Sequence, residues 1–334
     1  MTNSITSSRT LSLLLAACTL ATGVGTATTA SAAPATPVTK TVVIGLDGTM
    51  LDYVKEANTP NLHRLMEAGT SGQSSILGHP TISGPSWSTI LTGVWHNKHG
   101  VVDNSFKGAH YDLYPTAFTR IEQVKPEMRT VSISTWGGIA TIAGSGTPKA
   151  DVVVTTPSAE SEAVEDSATA SAVATEISSK GPDFVFTQLD QVDGAGHSSG
   201  TAGTEYKPAI ERVDAEVGKV VRAVDERSAA TGEKWTVIVT SDHGHKPGGG
   251  HGGQSAAEAT TFVIARGAGY RAGTTSDAYS IADITPTVLE NLGVALPTDL
   301  DGKPLPRTTT PAPTGSSGSL DRLPSWIPTG SLGS

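Results

Sequence analysis

The chain has 334 residues, 37% of them hydrophobic and 16% charged, which suffices for one large core or two small ones. A net charge of -9 at pH 7 argues against a nucleic-acid backbone as the binding platform, while small anionic substrates are admitted where bound cations reverse the local sign. The single cysteine, Cys18, excludes a disulfide framework.

Residues 1–33 read as a secretory signal. Arg9 precedes the apolar run Leu11–Leu20, and Ala30-Ser-Ala-Ala-Pro34 offers an Ala-x-Ala site with cleavage after Ala32 or Ala33. The run is too short to span a membrane, so the mature chain is expected to lack a transmembrane segment and to be secreted. The alternative is lipid anchoring through Cys18, because Leu15-Ala-Ala-Cys18 is similar to a lipobox. Simple secretion is preferred: the cleavage site is well formed and small residues continue past Cys18. The folded domain is expected over residues 40–305. Residues 306–334 are rich in Pro, Ser and Gly and read as a linker and tail.

Within the domain, Thr41–Leu46 is an apolar strand running into Asp47-Gly48. Asp47 either starts a turn or ligates a metal at the strand's carboxyl edge. Thr59–Gly69 is a helix with Thr59 as N-cap, Pro60 in the first turn and Gly69 as its stop. Leu62, Leu65 and Met66 form its buried stripe, and His63 is expected on the exposed side. Gly84-Pro85 marks a turn before a short helix, Ser86–Thr92. Ser83 then stands at or just before a helix N-terminus, where free amides and the dipole favour an anion. It is either a cap or a nucleophile facing a phosphate, with Thr81 as its nearest competitor. Asn104 follows in a loop, with an amide able to donate to an oxyanion.

Thr130–Trp136 reads as a strand, Ala159–Lys180 as an exposed helix, and Asp183–Leu189 as another strand. Beyond it, Asp193 and His197 are four apart across two glycines, a spacing that lets both reach one ion. Glu205–Ala230 is a long helix, Trp235–Thr240 a buried strand, Thr261–Ala265 a further strand, and Ile281–Gly293 a closing helix. Asp242, His243 and His251 lie just past the carboxyl end of the 235–240 strand, where open α/β sheets bind ligands. They are either a zinc-type ligand set or members of a polar, glycine-rich surface loop. Strands alternating with helices predict an α/β fold: a mostly parallel central sheet with helices on both faces.

The ordered set of motifs resembles the alkaline phosphatase superfamily, and within it the nucleotide pyrophosphatase/phosphodiesterase branch. The matching stretches are Gly45-Leu-Asp47-Gly48, Thr59-Pro-Asn-Leu62, Pro80-Thr-Ile-Ser83-Gly-Pro85, Leu91-Thr-Gly93, His99-Gly100, Asp103-Asn104, Asp193-x-x-Gly-His197, Ser241-Asp-His-Gly244 and His251-Gly-Gly253. The resemblance implies an alkaline-phosphatase-like fold and two divalent metal ions, Zn²⁺ first among them. Asp193, His197 and His251 would ligate one ion. Asp47, Asp242 and His243 would ligate the other, with Ser83 completing that site as nucleophile. Asn104 would hold the phosphoryl oxygens. The implied activity is hydrolysis of small phosphoric esters, diesters above all, through a phosphoserine.

Two departures stand out. The branch usually carries Thr in a Thr-Phe-Pro-Asn setting, where this chain has Ser83-Gly84-Pro85-Ser86. No Arg follows closely behind Ser83, the feature that grips monoesters in alkaline phosphatases proper. A phosphomonoesterase or sulfatase-like hydrolase is the alternative on the same fold, and a non-catalytic secreted binding protein is the third reading. His79, His96, His99, His110 and His245 are expected to be structural or at the surface, with His245 bordering the site.

Overall fold

The computed structural model describes residues 39–307 of the chain. The expected export signal and the tail beyond residue 307 lie outside the described residues. In order, the elements are β1 (Lys40–Leu46), α1 (Leu51–Glu56), α2 (Pro60–Ala68), β2 (Thr70–Ser75), α3 (Ser83–Thr92), α4 (His96–His99), α5 (Ala117–Val124), β3 (Thr130–Ser134), α6 (Gly137–Ala143) and β4 (Val152–Thr155). Then come α7 (Glu162–Lys180), β5 (Phe184–Leu189), α8 (Gln191–Ser199), α9 (Tyr206–Thr231), β6 (Trp235–Thr240), β7 (Thr260–Arg266), β8 (Thr274–Thr275), a 3₁₀ turn (Ile281–Asp283) and α10 (Ile284–Asn291).

One sheet of eight strands runs in the order β4-β3-β5-β1-β6-β7-β2-β8. Among the described strands, only β7 is antiparallel to both its neighbours. The buried strands are continuous apolar runs because helices cover both faces. Alternate side chains serve opposite layers. Val42, Ile44 and Leu46 of β1 pack with Leu62 and Leu65 of α2, Val173 and Ile177 of α7, and Val213 and Val217 of α9. Val43, between them, packs with Trp87 and Ile90 of α3, Phe118 of α5, Ile139 of α6 and Val288 of α10.

Two elements escape the hydrophobic pattern. β2 reads Thr-Ser-Gly-Gln-Ser-Ser and carries no apolar residue, yet it pairs with β7 and β8. α8 contains two glycines and looks like a loop. Its start is held by Asp166 of α7, whose carboxylate accepts from the N–H groups of Asp190 (2.8 Å) and Gln191 (3.0 Å). A buried acid at a helix N-terminus meets the unpaired amides and the dipole together. α7 is accordingly not a fully exposed helix, since Asp166, Thr169, Ala170, Val173 and Ile177 are buried.

α2 shows a similar substitution. Thr59 sits at its N-cap position without capping it, because its hydroxyl donates to the Val54 carbonyl at 2.7 Å. Asp214 of α9 accepts from the Asn61 and Leu62 amides in its place. His63 is half-buried against Thr59, with Nδ1 2.8 Å from the hydroxyl, and so is not on a free face.

Candidate metal centre

β5, β1 and β6 lie side by side in the sheet, and the chain leaves all three at the same edge. Asp47 follows β1, Asp190 and α8 follow β5, and Asp242 and His243 follow β6. The register therefore fixes how closely these side chains meet.

Asp47, Asp242 and His243 are fully buried. Asp47 Oδ2 accepts from Trp87 Nε1 (2.8 Å) and Gln188 Nε2 (2.9 Å). Asp242 Oδ1 accepts from the Gly48 N–H at 3.1 Å. The other oxygens, Asp47 Oδ1 and Asp242 Oδ2, are buried with no hydrogen-bond partner. They stand 3.5 and 3.2 Å from His243 Nε2. Ser83 opens α3, and its Oγ lies 3.3 Å from the same nitrogen. The Nδ1 of His243 faces the Gly244 carbonyl at 3.2 Å, which leaves Nε2 as the lone-pair nitrogen toward the cluster. Burial first, then Asp242 and Asp193, pushes the Asp47 carboxyl well above its usual range. Burial and then Asp193 do the same for Asp242. Burial holds His243 well below the ordinary imidazole range. Two buried acids that resist ionising side by side, with orphaned oxygens facing an imidazole lone pair, fit a divalent cation.

The second group stands beside the first. Asp193 and His197 share one face of α8, with Oδ2 and Nε2 3.2 Å apart. His251 reaches in from the loop after β6, its Nε2 3.0 Å from His197 Nε2 and 3.6 Å from Asp193 Oδ1. His251 Nδ1 lies 2.7 Å from the Thr81 carbonyl, again directing Nε2 inward. His243 and His251 stack with ring centroids 3.8 Å apart, which places the two groups in contact. Burial works to raise Asp193, but hydrogen bonds from His197 and His245 outweigh it and hold the carboxyl far below its usual value.

Asn104, exposed in its loop, accepts the Gly84 N–H at 2.7 Å through Oδ1. A Cβ on Gly84 would meet that oxygen at 2.9 Å and the Asp103 carbonyl at 2.8 Å, so only glycine permits the approach. Thr81 is committed elsewhere: its hydroxyl donates to the Gly253 carbonyl (2.8 Å) and accepts from the Gly252 N–H (3.0 Å). All eight residues singled out in the sequence thus come together at one sheet edge.

Others came unannounced. Gln188 bridges Asp47 and Asp190 through Nε2, and its Oε1 accepts from the Trp136 N–H. A glutamine inside a fully buried strand, Phe-Val-Phe-Thr-Gln-Leu, was the available signal. Asp190 is pushed up to about 7 by burial and by Asp193. His245 lies inside the cluster rather than at its border, with Nε2 2.8 Å from Asp193 Oδ1. His99, by contrast, is structural, with its Nε2 against the Thr89 hydroxyl and Nδ1 accepting from Val101.

A family model described as type I phosphodiesterase / nucleotide pyrophosphatase matches residues 41–256. An uncharacterized pyrophosphatase/phosphodiesterase of Schizosaccharomyces pombe is 40% identical over 65 residues, 20% of this chain and 13% of that protein. The Bos taurus protein named bis(5'-adenosyl)-triphosphatase ENPP4 is 26% identical over 221 residues, 61% of this chain and 47% of that protein. The chain therefore spans under half the length of these two curated relatives. Among solved structures, murine ectonucleotide pyrophosphatase/phosphodiesterase 5 superposes with a TM-score of 0.63 at 16% identity, covering 77% of this chain and 96% of that one. At that identity the superposition speaks for the fold. With the family model matched along most of the sheet and its site loops, the chain belongs to the type I phosphodiesterase / nucleotide pyrophosphatase family.

Proposed function

We propose that the protein is a secreted two-metal hydrolase of phosphoric diesters, nucleotide-type diesters and pyrophosphates foremost. The carrying observation is the convergence of Asp47, Asp242 and Ser83 Oγ on His243 Nε2, with two buried carboxylate oxygens lacking any hydrogen-bond partner. Asp47, Asp242, His243 and Ser83 would hold one ion; Asp193, His197 and His251 would hold the other. Zn²⁺ suits this mixture of carboxylate and imidazole donors. When bound, the ions would neutralise the buried carboxylates, acidify the Ser83 hydroxyl and stabilise charge on the leaving oxygen.

The chain's own residues supply the rest. Ser83 sits at the start of α3 and would present its Oγ to the phosphorus. A P–O bond forms to Ser83 Oγ as the bond to the leaving alkoxide breaks, giving a phosphoserine that keeps the second ester group, while the proton lost by the hydroxyl ends on the departing alcohol. Water then cleaves that ester and restores the hydroxyl. With Oδ1 of Asn104 engaged by Gly84, its NH₂ is the part that donates to a phosphoryl oxygen. The nucleotide reading draws on two relatives, the bovine bis(5'-adenosyl)-triphosphatase and a murine ENPP5 solved in complex with AMP.

The test is turnover of bis-p-nitrophenyl phosphate against p-nitrophenyl phosphate, with and without chelator. Chelator-sensitive diester hydrolysis is expected. Preference for the monoester would favour a phosphomonoesterase, and no turnover of either ester by zinc-loaded protein would sink the catalytic reading.

A further inference from the structure

His245 has zero exposure, and two glycines make room for its ring. A Cβ on Gly48 would lie 2.5 Å from its Nε2, and one on Gly196 2.4 Å from its Cδ2. The end of β1 and helix α8 thus leave a slot of imidazole size between them. Inside it, Nε2 stands 2.8 Å from Asp193 Oδ1.

Its other nitrogen sets it apart from its neighbours. His243 and His251 each face a backbone carbonyl with Nδ1, at 3.2 and 2.7 Å. A ligating histidine almost always donates its second N–H in this way, which fixes the tautomer and turns the free lone pair to the metal. Nδ1 of His245 is buried and has no hydrogen-bond partner. A proton there would leave a buried donor unsatisfied and set the Nε2 lone pair against a carboxylate. A proton on Nε2 instead makes a hydrogen bond to Asp193 and leaves only an acceptor unpaired.

We infer that His245 is a positioning residue of the metal centre: it donates Nε2–H to Asp193 Oδ1 and holds that carboxylate facing His197 and His251. The inference rests on the two-metal reading above. It gives the third imidazole of the glycine-rich loop a role different from the other two. Without the donor, Asp193 is free to rotate away from its partners on α8 and the loop.

The experiment measures zinc affinity by chelator competition for the wild type, His245→Met and His245→Gln. The melting temperature of each zinc-free protein controls for folding. His245→Met keeps the volume and removes the donor, and should weaken retention of one ion roughly ten- to a hundredfold. His245→Gln restores an N–H donor and should recover most of that loss. Unchanged affinity in His245→Met overturns the inference alone. A wild type that takes up no zinc overturns it together with the two-metal reading. Nitrogen-15 spectra of the zinc-loaded wild-type imidazoles decide the matter even where His245→Met does not fold. A protonated, metal-free Nε2 on His245 supports the assignment, and a metallated one overturns it.

Discussion

Ser83 and Thr81 are two residues apart, and their hydroxyls face different partners, His243 for one and Gly252 and Gly253 for the other. In an extended segment they would point the same way, which is why sequence leaves both open as nucleophiles. The helix begins at Ser83 and separates them, and the Thr81 hydroxyl is spent on Gly252 and Gly253. Ser83→Ala should keep the fold and most zinc, and lose roughly a thousandfold or more in kcat on the diester. Ser83→Thr should retain measurable turnover. Thr81→Val should act differently, by loosening the loop that carries His251. Its loss should appear as weaker zinc retention and recover at saturating zinc. A dead Thr81→Val at saturating zinc, beside an active Ser83→Ala, reverses the assignment. The candidate ligands were legible because Asp and His sit beside glycines at strand ends. Gln188 and Trp87, which hold Asp47, were not, since their roles depend on two strands and a helix meeting.

α8 shows where element-level reading runs out. β1, β5 and β6 announce themselves as short β-branched runs, and α9 by its length and periodicity. α8 has low intrinsic helicity and exists because Asp166, a distant residue on α7, satisfies its first amides. β2 likewise has no local signal and is a strand because β7 and β8 bracket it. Asp166→Ala should therefore cost about 1–3 kcal/mol, the range for a lost cap with buried donors left unpaired. It should also lower zinc content, because α8 carries Asp193 and His197 together. Denaturant midpoints and elemental analysis of the same preparations check both, and unaltered zinc content would separate the cap from the site.

For the whole molecule, the buried acids tie stability to pH and to metal. Asp47 and Asp242 are held above the ordinary carboxylate range by burial, so the zinc-free native state binds more protons than the unfolded chain. Their contribution to stability is complete below the unfolded value of about 4 and is lost as pH rises past it. Zinc needs deprotonated ligands, so its own stabilisation grows in the opposite direction. Burial holds His243, His251 and His99 below the ordinary imidazole range, which works in the opposite direction from the acids, so the test is the difference between curves: the gap between urea midpoints with zinc and with chelator should widen as pH rises, and parallel curves would speak against a metal at these acids. Export is tested at the N-terminus. Mass spectrometry of released protein should find a chain beginning near Ala33 or Pro34, whereas a lipid-modified Cys18 would indicate an anchored form. No helix among the described residues is long and apolar enough to cross a membrane.

The central position of β1 has a consequence for the order of assembly. It is the first strand among the described residues, yet its partners arrive late: Thr41 pairs with Phe184, and Lys40 with Trp235. A nascent chain cannot close the middle of its sheet until β6 has been made, and the ligands on either side of that middle stay dispersed until then. Pairings of such sequence separation are slow to form. Metal uptake should thus be the last event of maturation: in stopped-flow refolding, zinc capture should coincide with the slowest phase.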